Sequence, residues 1–269
     1  MTDLARQPLP LFYQDPQPLN ALVHGALRLK DGDYGFAAQT NAAPLTLVEF
    51  ASAARGYPVV FSQGETPFPM AILGLGADNR FVAEGRWAEG MYAPAYVRRY
   101  PFVFIEAGGD NLVLGIDMAS DRIVVGGEGG AALFEDGKPS ALTEGAMAFC
   151  GEFHAQHLQA RAFGAALVEH DLLIAQQADA RPAGGQPLSL GGFQVVDPAR
   201  FAALPDEVVL DWHRKGWLAL VHFHLASLER FTDLLARESG AAAVAALSKV
   251  SAKPRPAMAK SVAPKTEDA

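Results

Sequence analysis

The chain has a single cysteine, Cys150, among 269 residues. One thiol cannot close an internal disulfide, so nothing points to the stapled scaffold of a small secreted domain. Long apolar runs are missing as well. No stretch reaches the ~18 residues that a membrane-spanning helix needs. The strongest, residues 218–228, is too short and contains His222 and His224. Residues 1–10 lack a basic cluster followed by an apolar run, so a Sec leader is not expected. Basic residues are outnumbered, and the net charge of -8 disfavours a phosphate backbone as partner. The expectation is a soluble, cytoplasmic protein, with surface association open only to a signal-independent route. Half of the residues are hydrophobic, which supplies a sizeable core.

Residues 1–20 are rich in proline and aperiodic, and read as an extended lead-in. Short apolar runs follow, broken by Gly, Asp and Asn. Residues 57–62, 68–75, 102–105 and 112–116 read as strands. Within this half, residues 45–55 have the spacing of an amphipathic helix, through Leu45, Val48, Phe50, Ala51 and Ala54. From Thr143 to Gln177 the period becomes helical, with Thr143 as the expected N-cap and Gly164 as a plausible kink. Residues 187–196 read as a strand, a Gly-Gly bend and a second strand. Asp197-Pro198 opens a short helix, Pro205-Asp206 opens another through Lys215, and residues 225–239 form the last ordered element. Residues 241–269 are reduced to Ala, Lys, Pro, Ser and Val with few exceptions, and are expected to form a disordered tail. The fold class expected is α+β, a mainly antiparallel sheet packed by a long central helix and C-terminal helices, with residues 21–240 as one domain.

The densest local signal is residues 87–102. Trp87, Tyr92, Tyr96, Tyr100 and Phe102 lie there beside Arg98 and Arg99. Guanidinium groups stack on aromatic rings and grip carboxylates or phosphates in a two-pronged fork. The segment is therefore either an anion or peptide site or a structural corner in which aromatics fill the core and the arginines pair with acidic neighbours. Because Pro101 favours an extended Tyr100, the arginines are expected on opposite faces, one paired inward with a carboxylate and one facing out.

Seven histidines invite a metal reading. His154 and His157 are three apart on the expected helix, and His222 and His224 share a face only if they lie on a strand. No His-Glu-x-x-His and no cysteine pair accompanies them, so packed or partly exposed histidines are the favoured reading and no cofactor is assigned. The glycine-rich pieces lack the strand-to-helix setting of a phosphate loop, and no Gly-x-Ser-x-Gly or Ser-x-x-Lys nucleophile occurs. Cys150 lies on an apolar stripe beside Phe149 and Phe153 and reads as an inert buried thiol.

Several stretches taken in order resemble the SapC family of bacterial proteins. They are residues 44–50, 57–61, 71–75 and 79–81, then residues 92–102 with the string Tyr-Val-Arg-Arg-Tyr-Pro-Phe, residues 133–139, residues 188–197 and residues 216–228. The family name implies association with a bacterial surface layer. The resemblance further implies TonB-dependent receptors and flavin-dependent halogenase-like proteins as neighbours, and it brings no catalytic residues. The leading expectation is an accessory protein that binds a peptide or protein partner through Trp87, Tyr92, Tyr96, Arg98, Arg99 and Tyr100. A surface-layer structural protein and a histidine-based metal enzyme are the alternatives.

Overall fold

The sequence from Ser140 onward favours a helix from its first residue. The Ser140 hydroxyl accepts from Thr143 N at 3.4 Å, and Ala141–Glu169 then runs for 29 residues. The computed structural model describes residues 9–108, 111–127, 129–181 and 186–239. The expected tail, 241–269, lies outside the described residues, as do residues 1–8 of the lead-in.

Five antiparallel strands form the largest sheet, in the order Leu173–Ala180, Leu188–Val196, Val59–Ser62, Pro69–Ile72, Ala42–Pro44. A second sheet joins Pro16–Pro18, Leu112–Asp117 and Phe102–Glu106, again antiparallel. A third joins Ile123–Val125, Leu27–Leu29 and Ala131–Ala132. The long helix spans two hydrophobic clusters. Its C-terminal half buries Phe163 and Leu167 with Phe50, Phe61 and Trp212, while its N-terminal half sends Cys150 into a separate cluster with Phe102, Ile116 and Leu133. The class is α+β. No helix among the described residues is long and apolar enough to cross a membrane.

Several expected elements changed shape. The long helix stops at Glu169, because Asp171 at φ +51° turns the chain into the strand Leu173–Ala180. Leu173 and Ile174 fit helical spacing, yet they pair with Val196 and Val195 across a hairpin. The helix runs unbroken through Gly164. A Cβ there would lie 1.9 Å from the Pro67 carbonyl oxygen, so the glycine provides close approach and makes no kink. Residues 188–196 form one strand, with Gly192 at φ +81° and a register shift opposite it between Gln176 and Ala178. The helix expected over residues 45–55 is a 3₁₀ turn, Leu47–Glu49, followed by one α turn, Phe50–Ala53. At the C-terminus two helices, Trp217–Ser227 and Arg230–Glu238, stand where one element from residue 225 was expected.

His224 explains part of that last difference. The pairing of Phe193 with Ser62 and Gln194 with Phe61 would, if continued, set Val196 opposite Val59. The fully buried imidazole of His224 stands there, accepting from Val196 N at Nε2 (3.0 Å) and donating from Nδ1 to Val59 O (2.7 Å). Ser227, one turn on, accepts from Val59 N at 2.9 Å. The helix Trp217–Ser227 is thus stitched into the sheet through backbone groups that would otherwise be buried without partners.

Candidate functional site

Pro94 starts a short helix, Ala95–Arg98, and has no side-chain cap of its own. The missing cap comes from Glu49. This buried carboxylate accepts at one oxygen from Thr46 N (2.7 Å) and Thr46 Oγ1 (2.8 Å), and at the other from Ala95 N (2.7 Å) and Tyr92 Oη (3.0 Å). Backbone bonds from Arg98 N to Pro94 O and from Arg99 N to Ala95 O carry the helical conformation through both arginines. The extended segment expected here is therefore absent. Pro101 restrains Tyr100 only, and the Tyr100–Pro101 peptide is cis.

The two arginines occupy different environments. Arg98 is exposed and lies over the rings of Tyr92 and Phe149, with Cζ 5.6 and 5.2 Å from their centroids. Its Nε donates to Ala93 O and one terminal nitrogen donates to Tyr92 Oη. Arg99 turns inward among Tyr96, Phe153 and Tyr13, with Cζ at 4.2, 4.5 and 5.6 Å from the three ring centroids. The inward carboxylate partner expected from the sequence is not there. Among the described residues neither arginine has a carboxylate within 4 Å, and the buried Nε of Arg99 has no hydrogen-bond partner.

Two cavities meet at Arg99. The first, of about 420 Å³, is lined by Arg98, Arg99, Arg122, Tyr100, Phe149 and neighbouring residues of the long helix. The second, of about 230 Å³, is lined by Tyr96, Arg99, Phe104, Phe153, His154, His157 and neighbouring apolar residues. Neither lining contains an aspartate or glutamate, in a chain with 30 of them. Among the described residues Arg122 likewise has no carboxylate partner; it donates to the backbone oxygens of Lys30 and Tyr100. One face of the long helix borders both cavities, through Phe149, Cys150 and Phe153.

Burial sets the titration of the groups around Arg99, and the Arg99 charge acts on each of them. Burial raises the pKa of the Tyr13 and Tyr96 hydroxyls, and the Arg99 charge works against that rise in both. Burial pushes the Cys150 thiol up to about 11, again with Arg99 opposing, so the thiol is protonated at neutral pH. His157, stacked on Phe153, is pulled below its ordinary value by burial first and then by the charges of Arg161, Arg99 and His154.

The six residues singled out in the sequence divide among these places. Arg98, Arg99 and Tyr100 line the first cavity, and Tyr96 and Arg99 the second. Tyr92 holds Arg98 and Glu49 together from the side. Trp87 lies apart, packed on Tyr34 and donating from Nε1 to Tyr57 Oη (3.0 Å). Arg122, Phe149, Phe153 and Glu49 were not anticipated as site residues. For Glu49 a signal existed: Thr46-x-x-Glu49 is a capping box. His154 and His157 both line the second cavity, while the other candidate pair is split. His222 is exposed against Phe201 while His224 is buried, and no group of three or more His, Cys, Asp or Glu among the described residues is placed to share a metal ion.

No curated protein and no solved structure matches the chain. The ordered series of stretches from the Pro44 segment to the Ser227 helix does find its counterpart in a family model. The model for SapC matches residues 19–234, most of the chain, and the protein belongs to the SapC family.

Proposed function

We propose that this SapC-family protein is an accessory binding protein that holds a peptide or protein partner by an anionic group at the arginine cavity. The observation that supports the reading best is the isolation of Arg99: a guanidinium surrounded by aromatic rings, with an unpartnered buried Nε and no carboxylate nearby, in an acidic chain. Guanidinium groups kept for the fold are ordinarily paired when buried. One left open beside a cavity is suited to a charge brought from outside. Arg98 and Arg122 add positive potential at the rim of the same cavity. We take residues 21–240 as the binding unit and the cytoplasm as its compartment. TonB-dependent receptors and flavin-dependent halogenase-like proteins, implied by the family's company, are the first partners to test.

The experiment is capture from native lysate by the purified full chain, identification of the retained protein, and measurement with that protein in purified form. Arg98→Ala and Arg99→Met should each weaken the purified interaction by about tenfold or more, the scale of a lost charge-assisted hydrogen bond. Full affinity in both variants would reduce this region to a structural corner.

A further inference from the structure

The ligand chemistry can be narrowed, on the basis of the binding reading above. We propose that the two cavities form one site for a carboxylate that carries an aromatic ring, the carboxylate seated on Arg99 in the larger cavity and the ring in the smaller one. The cavities share Arg99 and Cys150 in their linings, which sets them side by side at one guanidinium.

The charge requirement comes from the donors. Arg98 spends its Nε on Ala93 O, and Arg122 spends two nitrogens on Lys30 O and Tyr100 O. Arg99 has an unpartnered Nε and otherwise faces the Tyr13 and Tyr96 hydroxyls, while Tyr96 and Phe153 cover its π surface. All three guanidinium groups at the larger cavity keep their charge, and their hydrogen bonds to neutral oxygens leave further N–H donors. A flat carboxylate matches the planar edge of a guanidinium with two parallel hydrogen bonds. Inorganic phosphate is the rival anion for the same charges.

The ring requirement comes from the smaller cavity. Its aromatic and apolar walls include Phe68, Phe104, Phe153 and Tyr96, and its polar ones are Arg99, His154 and the His157 imidazole, which burial keeps toward its neutral form. An apolar cavity of ~150 Å³ is enough to take up benzene. This one is about 230 Å³ and has aromatic walls that favour edge-to-face and stacked contacts. At about 420 Å³ the larger cavity is in the range of small-molecule sites and has room for the atoms that follow the carboxylate.

Such a ligand has two sources, a free aromatic acid or the C-terminus of a chain ending in an aromatic residue. The test is calorimetric titration of the full chain with 3-phenylpropionate, acetate, 3-phenylpropanol and inorganic phosphate. The expected result is binding of 3-phenylpropionate at least about tenfold tighter than each of the other three. Arg99→Met should abolish it, and Phe153→Ala should reduce it toward the affinity of acetate. Should Arg99→Met not fold, Arg122→Met takes its place, with a smaller loss expected. N-acetylphenylalanine and a tetrapeptide ending in phenylalanine, as free acid and as amide, then separate the sources: preference for the tetrapeptide acid assigns a chain end, and preference for N-acetylphenylalanine a free acid. Equal binding of 3-phenylpropionate and acetate, tighter binding of phosphate, or unchanged affinity in Arg99→Met would overturn the proposal. Loss of these results with partner capture still dependent on Arg98 and Arg99 would reject the ligand class and leave the binding reading standing.

Discussion

Acidification should loosen this fold through His224 before it reaches the carboxylates. The ring is fully buried and bonded at both nitrogens, accepting from Val196 N and donating to Val59 O. Burial lowers its pKa from 6.5 to about 4, with the Val59 carbonyl working the other way. Protonation would turn Nε2 from acceptor to donor, facing an N–H, and strand a charge in the core. The folded pKa lies below the unfolded one. The stability that His224 contributes is therefore complete above about pH 6.5 and is lost as pH falls toward 4. At about 1.4 kcal/mol per pH unit of displacement, the loss over that window is ~3 kcal/mol, a large part of a typical domain's stability. Urea unfolding at pH 7.5, 6.5, 5.5 and 4.5 measures it, with His224→Gln as control. Glutamine keeps a donor and an acceptor but does not titrate. The variant should start less stable and then lose stability less steeply than the wild type below pH 6.5. Parallel pH profiles in the two proteins, or a His224 ring that titrates near 6.5 by NMR, would refute the reasoning.

Four further outcomes follow from side-chain surroundings. Gly164→Ala should cost about 1–3 kcal/mol by urea unfolding, since its Cβ would meet the Pro67 carbonyl at 1.9 Å. Gly145→Ala, in the same helix with nothing within 4 Å of its Cβ, should gain about 0.5–1 kcal/mol. Glu49→Gln should destabilise the chain by about 1–3 kcal/mol, because an amide nitrogen would replace one of two oxygens that each accept two hydrogen bonds, and should weaken partner binding further by releasing Ala95 and Tyr92. The Cys150 thiol, pushed up to about 11 from 9.0, should react with a thiol reagent at pH 7 on the order of a hundredfold more slowly than an exposed cysteine.

The sequence made the α+β class and the main strands legible because those signals are local: short apolar runs between turn formers, and a long helical period. The helix end at Glu169 was not legible. Leu173 and Ile174 satisfy helical spacing, and only the partner strand Leu188–Val196, beyond the next turn, converts them to sheet. The site was half legible. The aromatic-arginine string marked Tyr96, Arg98, Arg99 and Tyr100, and the structure sets all four at the cavities. Arg122 comes from another turn of the chain and Phe153 from the long helix, where each reads as ordinary. The expected carboxylate partner for the inward arginine was inferred from acidic composition, but composition carries no address. The buried carboxylates nearby are taken up by other groups: Glu49 by Thr46, Tyr92 and Ala95, and Asp117 by Tyr100 Oη and the backbone N–H groups of Gln14 and Asp15.

On that missing partner rests the proposal that Arg99 is kept for a ligand and contributes little to the fold. Equilibrium urea unfolding of Arg99→Met beside the wild type tests it most directly. Methionine retains packing against Tyr96 and Phe153 and removes a guanidinium whose buried Nε has no partner. The expected stability is within about 1 kcal/mol of the wild type, or above it. A loss of about 3–5 kcal/mol, the size expected when a buried ion pair is broken, would contradict it and make Arg99 a structural residue.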